Sequence, residues 1–275
     1  MRLGVHLPQW GRAASPASIS TAAASAEAQG WDDVWVSDHI AVPDVPLAPP
    51  AFLYEPVITL TWAAAATTTV GLGTSVMVLP LRHPVHLAKE LASLDQFSGG
   101  RLIVGGGAGW LEQEFDALGV PFADRGRRSD EVIDVLRACW GAEDPVTFHG
   151  HYHHFHGLKV RPKPAHRIPV WVGGASAPAL RRAVQRGDGW HGQVTPEASV
   201  ALAAHLRAER PDEDFTLSMR VDWDGLITPE DQIRHEYAAY AGAGVQHLVV
   251  VPKQADPGEW TRSVDELWRI LSSLA

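Results

Sequence analysis

Residues 70–107 read VGLGTSVMVLPLRHPVHLAKELASLDQFSGGRLIVGGG, and they hold one complete unit of a fold. Val70 to Leu79 is a short apolar and Gly-containing run that predicts a strand, Pro84 to Phe97 predicts a helix, and Leu102 to Gly106 predicts the next strand. Ser98-Gly99-Gly100 closes the helix with a glycine stop. Strands joined through a helix lie parallel, because parallel neighbours need a long crossover.

The same unit recurs on both sides. Before it, Leu3 to Leu7 and Asp33 to Ser37 predict strands, with helices at Ser18 to Gln29 and Glu55 to Thr68 and a Pro-rich loop from Asp38 to about Pro50. After it come helical segments from about Glu112 to Trp140. Further strands follow at Val170 to Gly173, Gly189 to Val194, Phe215 to Val221 and Gln246 to Val251. The helices between and behind them fall at Pro178 to Gln185, Glu197 to Arg210, Pro229 to Ala241 and Trp260 to Ser273. Runs such as Val249-Val250-Val251 suit strands buried on both faces. Eight such units in 275 residues predict an α/β fold, a single (β/α)8 TIM barrel spanning 1–275. Glu143 to Pro169 is too long for an ordinary connection and predicts an insertion over the barrel mouth.

A formal net charge of −9 argues against a nucleic-acid surface and against docking on anionic lipid. Cys139 is the one cysteine, so no disulfide forms within the chain, and a reducing compartment is expected. Met1 leads straight into the first strand, and no apolar run approaches the roughly 20 residues of a bilayer span. The expectation is a cytoplasmic protein that acts on a small molecule.

In a parallel barrel, function collects where strands end and their following loops begin. Strand 1 ends at His6, strand 2 at Ser37-Asp38-His39, and strand 3 contains Ser75-Val76-Met77. Strand 4 runs into Gly107-Ala108-Gly109-Trp110, and strand 5 into Gly173-Gly174-Ala175-Ser176. The last of these precedes a helix start, where exposed N–H groups favour an anion; Ser176 would add a donor or cap the helix. Gly105 to Gly109 matches neither a Walker loop nor a dinucleotide fingerprint, but small residues there let a flat ring pass close to the backbone. His39 is the candidate for proton chemistry, with Asp38 beside it; the plainer reading is a polar strand cap. His6 can equally hydrogen-bond inside the mouth. His149, His151 and His153 alternate as metal ligands on one strand face would, yet no carboxylate or cysteine accompanies them in sequence. A solvated hairpin is the better reading, and no metal site is assigned.

These residues together resemble the bacterial luciferase-like superfamily, and within it the branch dependent on the deazaflavin coenzyme F420. The resemblance rests on Trp31-Asp32-Asp33-Val34-Trp35-Val36-Ser37-Asp38-His39, on Gly71 to Val76, on Lys89 to Arg101, on Gly105 to Gly109 with Glu114-Phe115, and on Pro169 to Gly174 with Asp188-Gly189-Trp190. It implies a flavin or deazaflavin across the strand ends, Asp38 and His39 beside the reactive ring edge, and a cis Ser75-Val76 peptide beneath the ring. It further implies that Gly107, Ala108, Gly109 and Gln113, with neighbouring Met77, contact the cofactor, and that Gly173 to Ser176 binds its phosphate. Trp110 stands where the sugar-phosphate dehydrogenase branch has a catalytic Glu, and Val42 to Asp44 lacks that branch's Trp. Sugar-phosphate oxidation is therefore not expected; Trp110 is read as an aromatic wall of the substrate pocket, with His6 nearby, or as core.

The leading expectation is an F420-dependent oxidoreductase moving a hydride to or from a small organic substrate. The rival within enzymes is an FMN-dependent monooxygenase fed by a separate reductase, and the rival of another class is a non-catalytic flavin-binding protein. A homodimer is consistent with the resemblance. The substrate pocket is expected to be lined by 40–54 and 143–167.

Overall fold

The computed structural model describes residues 1–45 and 50–274. In chain order the elements are β1 (Arg2–His6), α1 (Pro16–Gln29), β2 (Asp33–Val36), α2 (Pro56–Ala65), β3 (Gly71–Thr74), β4 (Met77–Val78), α3 (Pro84–Ser98), β5 (Leu102–Gly107), α4 (Glu112–Ala117) and α5 (Arg125–Trp140). There follow β6 (Val146–His149), β7 (His154–Leu158), β8 (Val170–Gly173), α6 (Ala177–Arg186), β9 (Gly189–Gly192), α7 (Pro196–Glu209), β10 (Thr216–Val221), α8 (Glu230–Gly242), β11 (His247–Val250) and α9 (Pro257–Leu271). The loop expected from Asp38 to about Pro50 includes 46–49, which lie outside the described residues.

The strands pair in the order β3-β2-β1-β11-β10-β9-β8-β5-β4, and β3 also pairs with β5, which closes the sheet. Every pairing in it is parallel. With β3 and β4 as two halves of one strand, this is an eight-stranded TIM barrel. The run expected as one strand from Val70 to Leu79 is broken at Ser75-Val76, whose peptide is cis. The Ser75 amide still donates to the Val36 carbonyl at 2.7 Å, and both residues face the barrel mouth.

The barrel axis is filled by large rings for which small residues make room. Trp35 from β2 is fully buried beside Trp171 and His191, its ring centroid 5.5 and 5.1 Å from theirs. A Cβ on Gly4 would stand 2.5 Å from the Trp35 Nε1, and one on Gly73 would run into the indole itself. Burying an indole of this size contributes about 4–6 kcal/mol before entropy is counted. Helices begin where the sequence supplies caps: Ser15 forms a capping box with Ser18 on α1, and Ser176 accepts from the Ala179 N–H on α6. No helix among the described residues is long and apolar enough to cross a membrane.

The insertion does not cover the mouth. Its hairpin, β6 and β7, packs against the outside of α5, where Glu131 accepts the amides of His151, Tyr152 and His153 and the His153 Nδ1–H. Strand β6 ends at His149, so His151 and His153 lie in the turn rather than on one strand face. A carboxylate distant in sequence thus organises the His-rich run as a turn anchor.

Candidate active site

The mouth of the barrel encloses a cavity of about 1030 Å³. Its wall divides by strand. On one side, the ends of β5 and β8 supply Gly107, Ala108, Gly109, Gly173, Gly174, Ala175 and Ser176, with Arg125 and Arg182 behind the Ser176 turn. Val76 stands against this wall: a Cβ on Gly107 would meet its Cγ2 at 2.7 Å, and one on Gly173 its Cγ1 at 2.9 Å. Glycine is required at both positions for Val76 to project as it does. Gly174 adopts φ 100°, which turns the chain into α6 and leaves amides at the helix start. The Ser176 hydroxyl acts as the helix cap. Arg182 is spent on Asp130 and the Gly126 carbonyl, whereas Arg125 donates to the Phe122 carbonyl, lies over the Phe122 ring, and forms no ion pair among the described residues.

At the rim, His39 is oriented by Glu114 rather than by Asp38. Its Nδ1 lies 3.2 Å from the Glu114 carboxylate, whose other oxygen accepts the Ile40 and Ala41 amides. Burial tends to raise the Glu114 pKa, but these hydrogen bonds outweigh it and hold the carboxyl below the usual range. With Nδ1 on the carboxylate, Nε2 has no partner among the described residues. Trp110 is exposed, lines the cavity and meets the His39 ring edge-on at 5.9 Å between centroids. Asp38 lines the cavity but is held from below by the Val78 N–H and by Arg82, which also bridges to Glu55.

Three expected site residues do not reach the cavity wall. Met77 is fully buried in β4, and Gln113 is exposed on α4. His6 lies beneath Trp10, centroids 4.2 Å apart, with Nδ1–H donated to the Leu7 carbonyl and Nε2 bonded to the Ser37 hydroxyl. Burial, then the charge of Arg220, pushes its pKa well down, so the ring is neutral.

The expected list stopped at the fifth strand, and the remaining strands supply what it lacks: His191 on β9, Arg220 and Asp222 at the end of β10, and Lys253 after β11. The same strand-end reading carried to those strands would have reached them. His191 begins a buried chain of hydrogen bonds down the barrel. Ser75 Oγ meets His191 Nε2 at 2.8 Å, His191 Nδ1 meets Ser218 Oγ at 2.7 Å, Ser218 Oγ meets His247 Nδ1 at 2.7 Å, and His247 Nε2 meets Asp33 at 2.8 Å. Asp33, whose carboxyl is held below the usual range, is the acceptor at the foot of this chain. Burial, reinforced by the charges of His247 and Arg220, pulls the His191 pKa down to about 3.

A small-residue wall beside Val76, helix-start amides with Arg125 on the same wall, and a carboxylate-held imidazole at the rim have the shape and chemistry to take a flat ring with an anionic tail and to move a proton. A family model described as luciferase-like monooxygenase matches residues 1–222 of the chain. The chain is 31% identical over 268 residues to the F420-dependent glucose-6-phosphate dehydrogenase of Intrasporangium calvum, across 88% of this chain and 75% of that one. It is 38% identical over 112 residues to the FMNH(2)-dependent dimethylsulfone monooxygenase of Pseudomonas putida, across 39% of this chain and 31% of that one. In fold it is similar to an F420-dependent secondary alcohol dehydrogenase, with a TM-score of 0.83 over 100% of this chain and 99% of that one at 19% identity.

Proposed function

We infer the activity from one premise: this chain belongs to the luciferase-like monooxygenase family. It is an oxidoreductase, and we propose that its cofactor is coenzyme F420 and its reaction a hydride transfer between that deazaflavin and a small organic substrate. The observation that carries the reading is Val76 standing between Gly107 and Gly173, a platform against which a flat tricyclic ring can lie. A deazaflavin supplies hydride chemistry at C5 when bound.

The chain's own residues would do the rest. Gly107, Ala108 and Gly109 allow the ring to approach the backbone, and the Gly173–Ser176 turn with Arg125 receives the phosphate. His39 holds or takes a proton at Nε2, and Glu114 offsets the imidazolium charge that results. Ser75, Val76 and Asp38 shape the platform and its edge, while Trp110 walls the rim and shields the reacting atoms from water. With Trp110 in place of an ionisable side chain at that point of the rim, a sugar phosphate is not the proposed substrate.

The similarity to an FMNH(2)-dependent monooxygenase supports a second reading, an FMN enzyme supplied by a separate reductase. Fluorescence titration of the purified protein with coenzyme F420 and with FMN separates them. Micromolar F420 binding is the expected result; micromolar FMN binding without F420 binding would reverse the assignment. A protein that binds either cofactor and turns over nothing in a broad screen, with His39→Ala indistinguishable from wild type, would be a binding protein.

A further inference from the structure

Arg220 is a cation built into the floor of the cavity that no carboxylate among the described residues meets directly; Asp222 acts on it only through space. Arg220 lies on β10, which the pairing order places opposite β3 across the barrel, and its guanidinium spans that distance. There NH1 donates to the Ser75 carbonyl at 2.6 Å and to the Ser37 hydroxyl at 3.0 Å. These bonds fix the orientation of the fork. Nε–H is buried without any acceptor, and NH2 makes no hydrogen bond among the described residues. No acidic side chain among the described residues forms an ion pair with it; Asp222, two positions on, is bonded to Lys253 Nζ at 2.9 Å instead.

A guanidinium offers five donors in a rigid plane. Arg220 is half-buried at the cavity wall, so its NH2 end, unlike the enclosed Nε–H, is open to an acceptor among whatever the cavity holds. Two ligands enter there under the function proposed above, on which this inference rests. The cofactor is provided for on the β5 and β8 side. Gln193, Trp10 and Lys253 belong to the other side, formed by β9, β11 and β1, and Arg220 reaches in from β10 between them, its fork lying on the floor against Ser75 and Ser37. That half thus pairs an aromatic face, Trp10, with an oriented cation at its foot.

We propose that Arg220 is the substrate-anchoring residue of this protein and that the substrate is an organic acid, with its carboxylate on the guanidinium and its apolar body against Trp10. The carboxylate would accept from the NH2 end and compensate the charge that Ser37 and Ser75 leave uncompensated. Held from the floor, such a substrate would present its far end toward the rim and His39.

The test needs neither the natural substrate nor the cofactor. Benzoate and its neutral counterpart benzyl alcohol are titrated into the protein, with quenching of tryptophan fluorescence as the readout, since Trp10 and Trp110 both line the cavity. Benzoate is expected to bind at least about ten-fold more tightly, a difference that one charge-assisted pair readily provides. Arg220→Met should abolish the preference and Arg220→Lys should retain part of it, with circular dichroism and Tm reporting that both variants fold. Equal affinity for the two probes, or a benzoate preference surviving in Arg220→Met, overturns the proposal. The titrations are repeated with F420 and with FMN present. Benzoate binding beside the cofactor is the expected result; competition between them would give the anion-binding role to the cofactor and overturn the substrate assignment. Failure of F420 to bind while the Arg220-dependent preference persists would remove the cofactor reading alone.

Discussion

Glu114 grips His39 twice, once through the ring at 3.2 Å and once through the backbone that follows it, across 75 positions of sequence. One carboxylate thus sets both where the imidazole sits and which nitrogen is free. Asp38, adjacent in sequence, has been drawn away by Arg82.

Replacing His39 by Ala should lower kcat by about 10²–10⁴, the usual worth of a positioned acid–base group. Glu114→Gln keeps the shape and removes the charge, so its loss should be smaller. Because the Glu114 pKa is depressed, the native carboxylate stays ionised through neutral pH, and its support for the imidazolium is lost only on acidification through that lowered value. Glu114→Gln, which carries no charge at any pH, should therefore lack the loss of kcat/KM that wild type shows on acidification through the Glu114 value. The same acid limb in Glu114→Gln would separate Glu114 from the chemistry.

Arg82 joins Asp38 to Glu55 and so ties the end of β2 to the start of α2. Arg82→Ala leaves the fully buried Asp38 carboxylate without its cation and should cost about 3–5 kcal/mol in urea unfolding. Asp38→Asn in the same background should recover part of that loss. Additive losses in the double mutant would show that the two groups do not interact.

Gly107→Ala places a methyl 2.7 Å from Val76 Cγ2. Since Gly173 crowds Val76 from its other side, the valine cannot simply retreat. The variant should lose about 1–3 kcal/mol of stability from overpacking and bind cofactor more weakly, both measurable in one thermal-shift titration. Unchanged affinity would remove Val76 from the ring platform.

His191 titrates near 3 in the fold and near 6.5 unfolded, so above pH 6.5 it is neutral in both states and its contribution is full. As pH falls below that, the unfolded chain takes a proton that the folded one refuses. Stability should drop by about 1.4 kcal/mol per pH unit down to about pH 3. Urea midpoints at pH 7, 6 and 5 give the slope for wild type, and His191→Asn should flatten it. Parallel slopes would place the acid sensitivity elsewhere.

The barrel was legible because periodicity is a local property. The unit at 70–107 announces a parallel crossover without reference to anything outside itself. What escaped was set by contacts between distant positions. Nothing near Val76 states that Gly107 and Gly173 will close on it, and nothing near His39 names Glu114 as its partner. The insertion at 143–169 was expected over the mouth; Glu131, on a helix already counted, draws it to the outer wall instead. Arg220 looks in sequence like any polar residue at the edge of a strand, and only closure of the barrel puts Ser75 opposite it.

Ser75-Val76 is where these separate relationships converge. Its valine stands between Gly107 and Gly173, its carbonyl carries Arg220, and its hydroxyl ends the chain that descends through His191 to Asp33. A substitution at this one step would therefore be felt at once above it, beside it and beneath it, so the two residues tolerate change only together with the glycines, the arginine and the histidine that meet them.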